Sequence, residues 1–171
     1  MAVTAEKLEL PVRKQRADSG LLGWFRSVDH KRIGVLYILT AIVFLLVIGF
    51  EALLMRLQLM KPLNTLVTGD TYNALVTQHG TVGIFFVATT LIWGILNYVV
   101  PLQLGARDVA FPRLNLFTWY LTLAGGIIIN AAWFLGGAAD AGWFAYVPLS
   151  GEQFSPGVGM DAYLVGVTLG M

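Results

Sequence analysis

The stretch that decides the fold is "TYNALVTQHGTVGIFFVATTLIWGILNYVVPLQLGA", residues 71–106. It holds no Asp, Glu, Lys or Arg, and its one histidine is His79. About 20 predominantly apolar residues suffice to cross the ~30 Å hydrocarbon core of a bilayer as a helix. The run exceeds that, so it predicts one membrane span with residues to spare, over about 74–100. Pro101 is expected to end it, because proline lacks the N–H that a helix interior needs.

Working outward, two more runs have the same character. Residues 33–50 are uncharged, and the run extends to Arg56 if Glu51 faces protein. It predicts a span over about 33–56. A third span is expected over about 115–136, ending near Gly136 and Gly137. A loop rich in Gly, Pro and aromatics follows, and a fourth apolar run begins at Ala162 and continues to Met171. That last run is about half a spanning helix. The 171 residues are 57% hydrophobic and 12% charged. Soluble domains carry about 25% charged residues, so this is membrane composition. Net charge is +1, which offers no footprint for nucleic acid. There is no cysteine, which excludes disulfides and thiolate metal sites within these residues. Residues 1–32 are polar or mixed and do not read as a signal peptide.

Orientation follows from Lys and Arg near the spans. Seven precede the first: Lys7, Arg13, Lys14, Arg16, Arg26, Lys31 and Arg32. The first loop carries Arg56 and Lys61, the second Arg107 and Arg113, and the third none. The N-terminus and the second loop are therefore expected inside, with residues 1–32 as a cytoplasmic segment. This topology sets the polar residues by depth. His79 lies 22 residues before Pro101, roughly 33 Å along a helix, and so near the outer edge, where Arg56 also lies. Asp108 lies in the inner loop, with Asn97 above it and Asn115 near the start of the third span.

Each of these reads two ways. His79 either bonds a neighbouring helix or serves as a ligand, since ionisable groups within spans mark function. Arg56 is a snorkelling anchor or a site cation. Asp108 is a solvated loop charge or a proton acceptor. Asn115 has a bland alternative as a helix N-cap. His30, in "DHKR" at the inner interface, reads as structural. It is a full span from His79, so the two cannot share a metal.

Four strings together, "SVDHKRIGVLYI", "TQHGTVGIFF", "NYVVPLQLGARDVAFPRLN" and "GWFAYVPLSG", resemble the N-terminal part of the haem–copper oxidase large subunit. That family comprises subunit I of cytochrome c oxidases and their quinol-oxidising relatives. The resemblance covers about residues 25–171. It implies an all-α integral membrane fold: three helices and the start of a fourth from a twelve-helix bundle. It implies that His79 is an axial ligand of a low-spin haem, of the haem A type, and that Arg56 bonds the haem's formyl group. Gly80 and Gly83 are expected to leave room for the flat ring. Asp108 matches the acid at the entrance of the family's D proton pathway. Asn97 and Asn115 match amides above that acid, and Tyr37 matches a tyrosine beside it.

The resemblance further implies oxygen reduction with proton pumping in a bacterial plasma membrane. The expected partners are the remaining part of subunit I, subunits II and III, and cytochrome c. The family's high-spin haem and copper ligands have no counterparts here, since His30 and His79 are the only histidines. These residues alone are therefore not expected to reduce oxygen. Positions matching the quinol branch's quinone site read Val47, Glu51, Thr71 and Ala74, which favours cytochrome c as donor. Glu51 is left without a role, except as a partner for Arg56 five residues on. Two readings from other classes stand beside this one: a haem-binding assembly module without turnover, and a transporter-like bundle in which Asp108 and Asn97 line a substrate path.

Overall fold

The computed structural model describes residues 20–171, and they contain helices and no strands. A short helix α1 (Leu21–Phe25) precedes α2 (His30–Gln58). Helix α3 (Gly69–Thr81) runs through a π-helical segment, Val82–Ala88, into α4 (Thr89–Gln103). Then come α5 (Pro112–Ala131), one 3-10 turn (Ala132–Phe134) and α6 (Val158–Gly170). Three helical stretches are long and apolar enough to cross a membrane: His30–Gln58, Gly69–Gln103 and Pro112–Phe134. All three reach further at their starts than the uncharged runs alone suggest.

The boundaries have local causes. Asp29 caps α2 by accepting the Lys31 N–H at 2.9 Å. Beyond its other end, Gln58 holds the loop by donating to the Asn64 carbonyl and accepting the Val67 N–H. Thr68 caps α3 through the Thr71 N–H, and Asp70 sits in the first turn, where a carboxylate suits the helix dipole. Pro112 opens α5 at a position that needs no N–H donor, with Phe111 as N-cap. Asn115 therefore lies inside the first turns of α5 and is not its cap. Pro101 does not end its helix either. It sits inside α4, which continues to Gln103, because only the final turn lies beyond the missing donor.

Helices α2 and α4 pack closely, as do α5 and α6. At the first crossing Gly34 meets Gly94. A Cβ on Gly34 would lie 2.8 Å from the Gly94 carbonyl oxygen, and one on Gly94 would lie 2.9 Å from that of Gly34. Only glycine permits this backbone approach, which suits membrane helices held together by close packing. Phe44, Ile48, Val82, Phe86, Ile129 and Tyr163 form the main core. The outside of α2 is the reverse. Leu39, Val43, Leu46, Phe50 and Leu53 recur every three or four residues, and all are exposed. Such a stripe requires lipid or another apolar surface, in keeping with a multi-pass membrane protein.

Candidate functional site

The polar residues fall into two groups at opposite ends of the antiparallel pair formed by α2 and α3–α4. At one end lies His79, in the last turn of α3. Its Nδ1–H donates to the Ile48 carbonyl oxygen at 3.0 Å. A carbonyl only accepts, so in the neutral ring Nδ1 carries the proton and Nε2 keeps its lone pair. Nε2 makes no hydrogen bond among the described residues. A histidine oriented by a backbone carbonyl through one nitrogen and open at the other is the arrangement metal-binding imidazoles use. No group of three or more His, Cys, Asp or Glu side chains gathers among the described residues, so a protein-only metal cage is not available there.

The chain around His79 is held tightly. Gln78 donates to the Ile129 carbonyl at 2.7 Å, and Thr77 accepts the Gly142 N–H at 2.9 Å. The π-helical segment begins three residues on. Widening the turns displaces carbonyls from the i→i−4 ladder, and two threonine hydroxyls recover them: Thr89 donates to the Ile84 carbonyl and Thr90 to that of Phe85. This segment sets the rotation of His79 relative to Asn97 on the same continuous helix.

Gly80 does not leave room for a flat ring. A Cβ there would meet the Trp143 side chain at 3.3 Å, so the loop between α5 and α6 fills that face. Gly83 has only ordinary contact with Ile48. Arg56 lies in the last turn of α2 and is exposed, whereas Glu51 is 4% exposed. They form no ion pair. Five residues turn a helix by about 500°, which leaves the two on different faces. Both Glu51 carboxylate oxygens are buried and make no hydrogen bond among the described residues. They border an apolar cavity of about 800 Å³ that Val47, Thr71, Asn130 and Trp133 also line.

At the other end, Asp108 and His30 are joined. His30 is 2% exposed, and its Nδ1–H donates to Asp108 Oδ1 at 3.2 Å. The same carboxylate oxygen accepts the Val109 N–H at 2.8 Å. His30 is thus more than an interface residue, because it anchors the one acid of the second loop. The sequence signal was "DHKR" at the start of a span, on the side where the topology also puts Asp108. A cavity of about 580 Å³ gathers Tyr37, Asn97 and Asn115, together with Thr118 and Thr122. Val109 reaches its lining, while Asp108 faces His30 instead. Tyr37 donates to the Thr118 hydroxyl at 3.0 Å, and Asn97 donates to the Trp93 carbonyl. The buried Asn115 amide nitrogen has no partner among the described residues, leaving a donor that suits ordered water.

Comparison with known proteins agrees with this architecture. Residues 32–171 match the family model described as cytochrome C and quinol oxidase polypeptide I. Cytochrome c oxidase subunit 1 of Alkalihalophilus pseudofirmus is 42% identical over 154 residues, covering 90% of this chain and 24% of the relative. The same-named protein of Bacillus subtilis is 45% identical over 156 residues, covering 91% and 25%. The probable quinol oxidase subunit 1 of Staphylococcus aureus (strain COL) is 47% identical over 146 residues, covering 85% and 22%. The chain thus spans about a quarter of the length of these relatives. With the family model matched from the start of α2 to the last residue, and with three membrane-compatible helices, the chain belongs to the cytochrome c and quinol oxidase polypeptide I family.

Proposed function

We propose that this chain contributes a low-spin haem ligand and a proton entrance to a respiratory haem–copper oxidase that reduces oxygen to water and pumps protons, with cytochrome c as electron donor. The observation that carries the proposal is the His79 ring, tied through Nδ1 to Ile48 and open at Nε2. That donor fits a haem iron. When bound, haem A supplies one-electron transfer, and its potential depends on its ligands and on polar groups at its edge. Ile48 fixes the tautomer and orientation of His79, and Arg56 offers a cation for the ring's formyl substituent.

At the other end, Asp108 exchanges protons with the solution on the side where the N-terminus lies, the cytoplasm by the Lys and Arg count. Its bonds to His30 and to the Val109 N–H hold the carboxylate near the surface. Beyond it, Tyr37, Asn97 and Asn115 surround a cavity in which their amides and hydroxyl order water. The high-spin haem and copper of the complete enzyme belong to the remaining part of subunit I. Subunits II and III complete the complex in a bacterial plasma membrane.

Quinol is the second reading for the donor, and a specific observation favours it. The buried, unpartnered Glu51 carboxyl borders a large apolar cavity with Val47 and Thr71. Relatives of nearly equal identity carry both donor names. The test is oxygen consumption by the intact complex with reduced cytochrome c and with a quinol, alongside a pyridine haemochrome and copper assay. Turnover with cytochrome c, and with quinol only through added cytochrome, is the expected result. Direct quinol turnover that Glu51→Gln impairs through KM would replace the donor. A complex with neither haem nor oxygen uptake would overturn the whole reading.

A further inference from the structure

The Asp108 end of the bundle carries a feature that neither haem nor proton transfer uses. Helix α1 exposes Leu21 (82%), Leu22 (71%), Trp24 (38%) and Phe25 (40%) within five residues. It is not loosely attached. The Phe25 carbonyl accepts a hydrogen bond from the Tyr120 hydroxyl, and the Phe25 ring lies 5.8 Å from that of Trp119. Cations follow directly. Arg26 and Lys31 are exposed, and Arg32 lies over the Trp24 ring at 5.6 Å. The acids nearby are engaged internally: Asp29 with the Lys31 N–H, and Asp108 with His30 and the Val109 N–H. None of the three cations makes an ion pair among the described residues.

We propose that α1 and the following basic turn form a binding surface for an acidic phospholipid, with the acyl region against Leu21, Leu22 and Phe25 and the phosphate among Arg26, Lys31 and Arg32. Two observations choose lipid over a protein partner. The position is at the end of the spanning helices, where the headgroup layer lies, and an indole with a cation on its face suits that layer. Three cations stand against one acid in that turn, Asp29, and the net positive charge complements the phosphates of an anionic leaflet. The surface does not depend on the haem assignment.

The test uses the complete complex containing this chain, reconstituted in vesicles. The chain has no native cysteine, so Leu22→Cys carries a fluorophore, and labelling of the complex without Leu22→Cys corrects for other subunits. Quenching is compared between vesicles of phosphatidylcholine alone and vesicles with a fifth of their lipid as phosphatidylglycerol. The brominated lipid is the phosphatidylcholine in one series and the phosphatidylglycerol in the other. Brominated phosphatidylglycerol is expected to quench more strongly per molecule. That preference should fall by about fivefold for each cation removed through Arg26→Gln, Lys31→Gln and Arg32→Gln, and should weaken in high salt. Retained haem spectra show that the variants are folded. Equal quenching by both lipids would reduce the surface to bare apolar contact. Absence of quenching by either would mean that a protein chain covers α1. A preference that survives the triple substitution would mean that other groups hold the phosphate. Each of these three results overturns the proposal.

Discussion

The two ends of the α2 and α3–α4 pair treat ionisable groups in opposite ways. At the Asp108 end, the groups are linked across elements: His30 on α2 bonds the loop carboxylate, and Tyr37 on α2 bonds Thr118 on α5. At the His79 end they stand apart. His79 bonds a backbone carbonyl, the Glu51 carboxylate makes no hydrogen bond among the described residues, and Arg56 is exposed. Linked groups tune one another, and a change at one is felt at the next. Isolated groups present a single atom to a ligand and lose their role outright when replaced. The first pattern suits proton exchange with solvent, and the second suits holding a cofactor.

Substitutions at four residues in the intact complex test that contrast. The largest effect is expected at the isolated end. His79→Ala removes the only imidazole of that helix, so the low-spin haem band should disappear while the complex still assembles. Visible spectra of the purified variant check this, and a band at full intensity would show that His79 only tethers α3 to α2. Next is Asp108→Asn, which keeps shape but cannot release a proton. Turnover should fall at least about tenfold, a barrier increment of about 1.4 kcal/mol, with haem content unchanged. Asp108→Glu should restore most of it. Oxygen consumption and proton ejection in vesicles decide, and parental behaviour of Asp108→Asn would leave a solvated loop charge.

A smaller effect is expected at His30. His30→Ala removes one charge-assisted hydrogen bond from Asp108 and leaves the Val109 N–H in place. Such bonds contribute about 1.5–3 kcal/mol, so the second loop should loosen and the pH profile of turnover should shift, without loss of haem. An unchanged profile would mean that the two ends are not organised differently after all. The smallest change is expected from Arg56→Met. The haem should stay bound, its absorption band should move, and its potential should fall. An unmoved spectrum would make Arg56 an interface anchor.

Much of this was legible in the residues because it depends on local composition. Uncharged runs of sufficient length gave the three spans. Lys and Arg near their ends gave an orientation, and a lone histidine in an uncharged run stood out before any fold was known. Caps were legible less often. Phe111 rather than Asn115 opens α5, since Pro112 fixes the start, and Pro101 is tolerated in the last turns of α4.

By itself, then, the sequence determined how many of the described helices are long and apolar enough to cross a membrane and where along each the polar residues fall, because hydropathy adds along the chain. Only the tertiary structure decided which polar groups meet. A helix turns about 100° per residue, so one residue of register carries a side chain to another face. The π-helical segment between His79 and Asn97 alters that rotation, and close approach at Gly34 and Gly94 sets the register of α2 against α4. Together these bring His30 to Asp108, turn Glu51 inward away from Arg56, and put Trp143 on the face that Gly80 was expected to leave open.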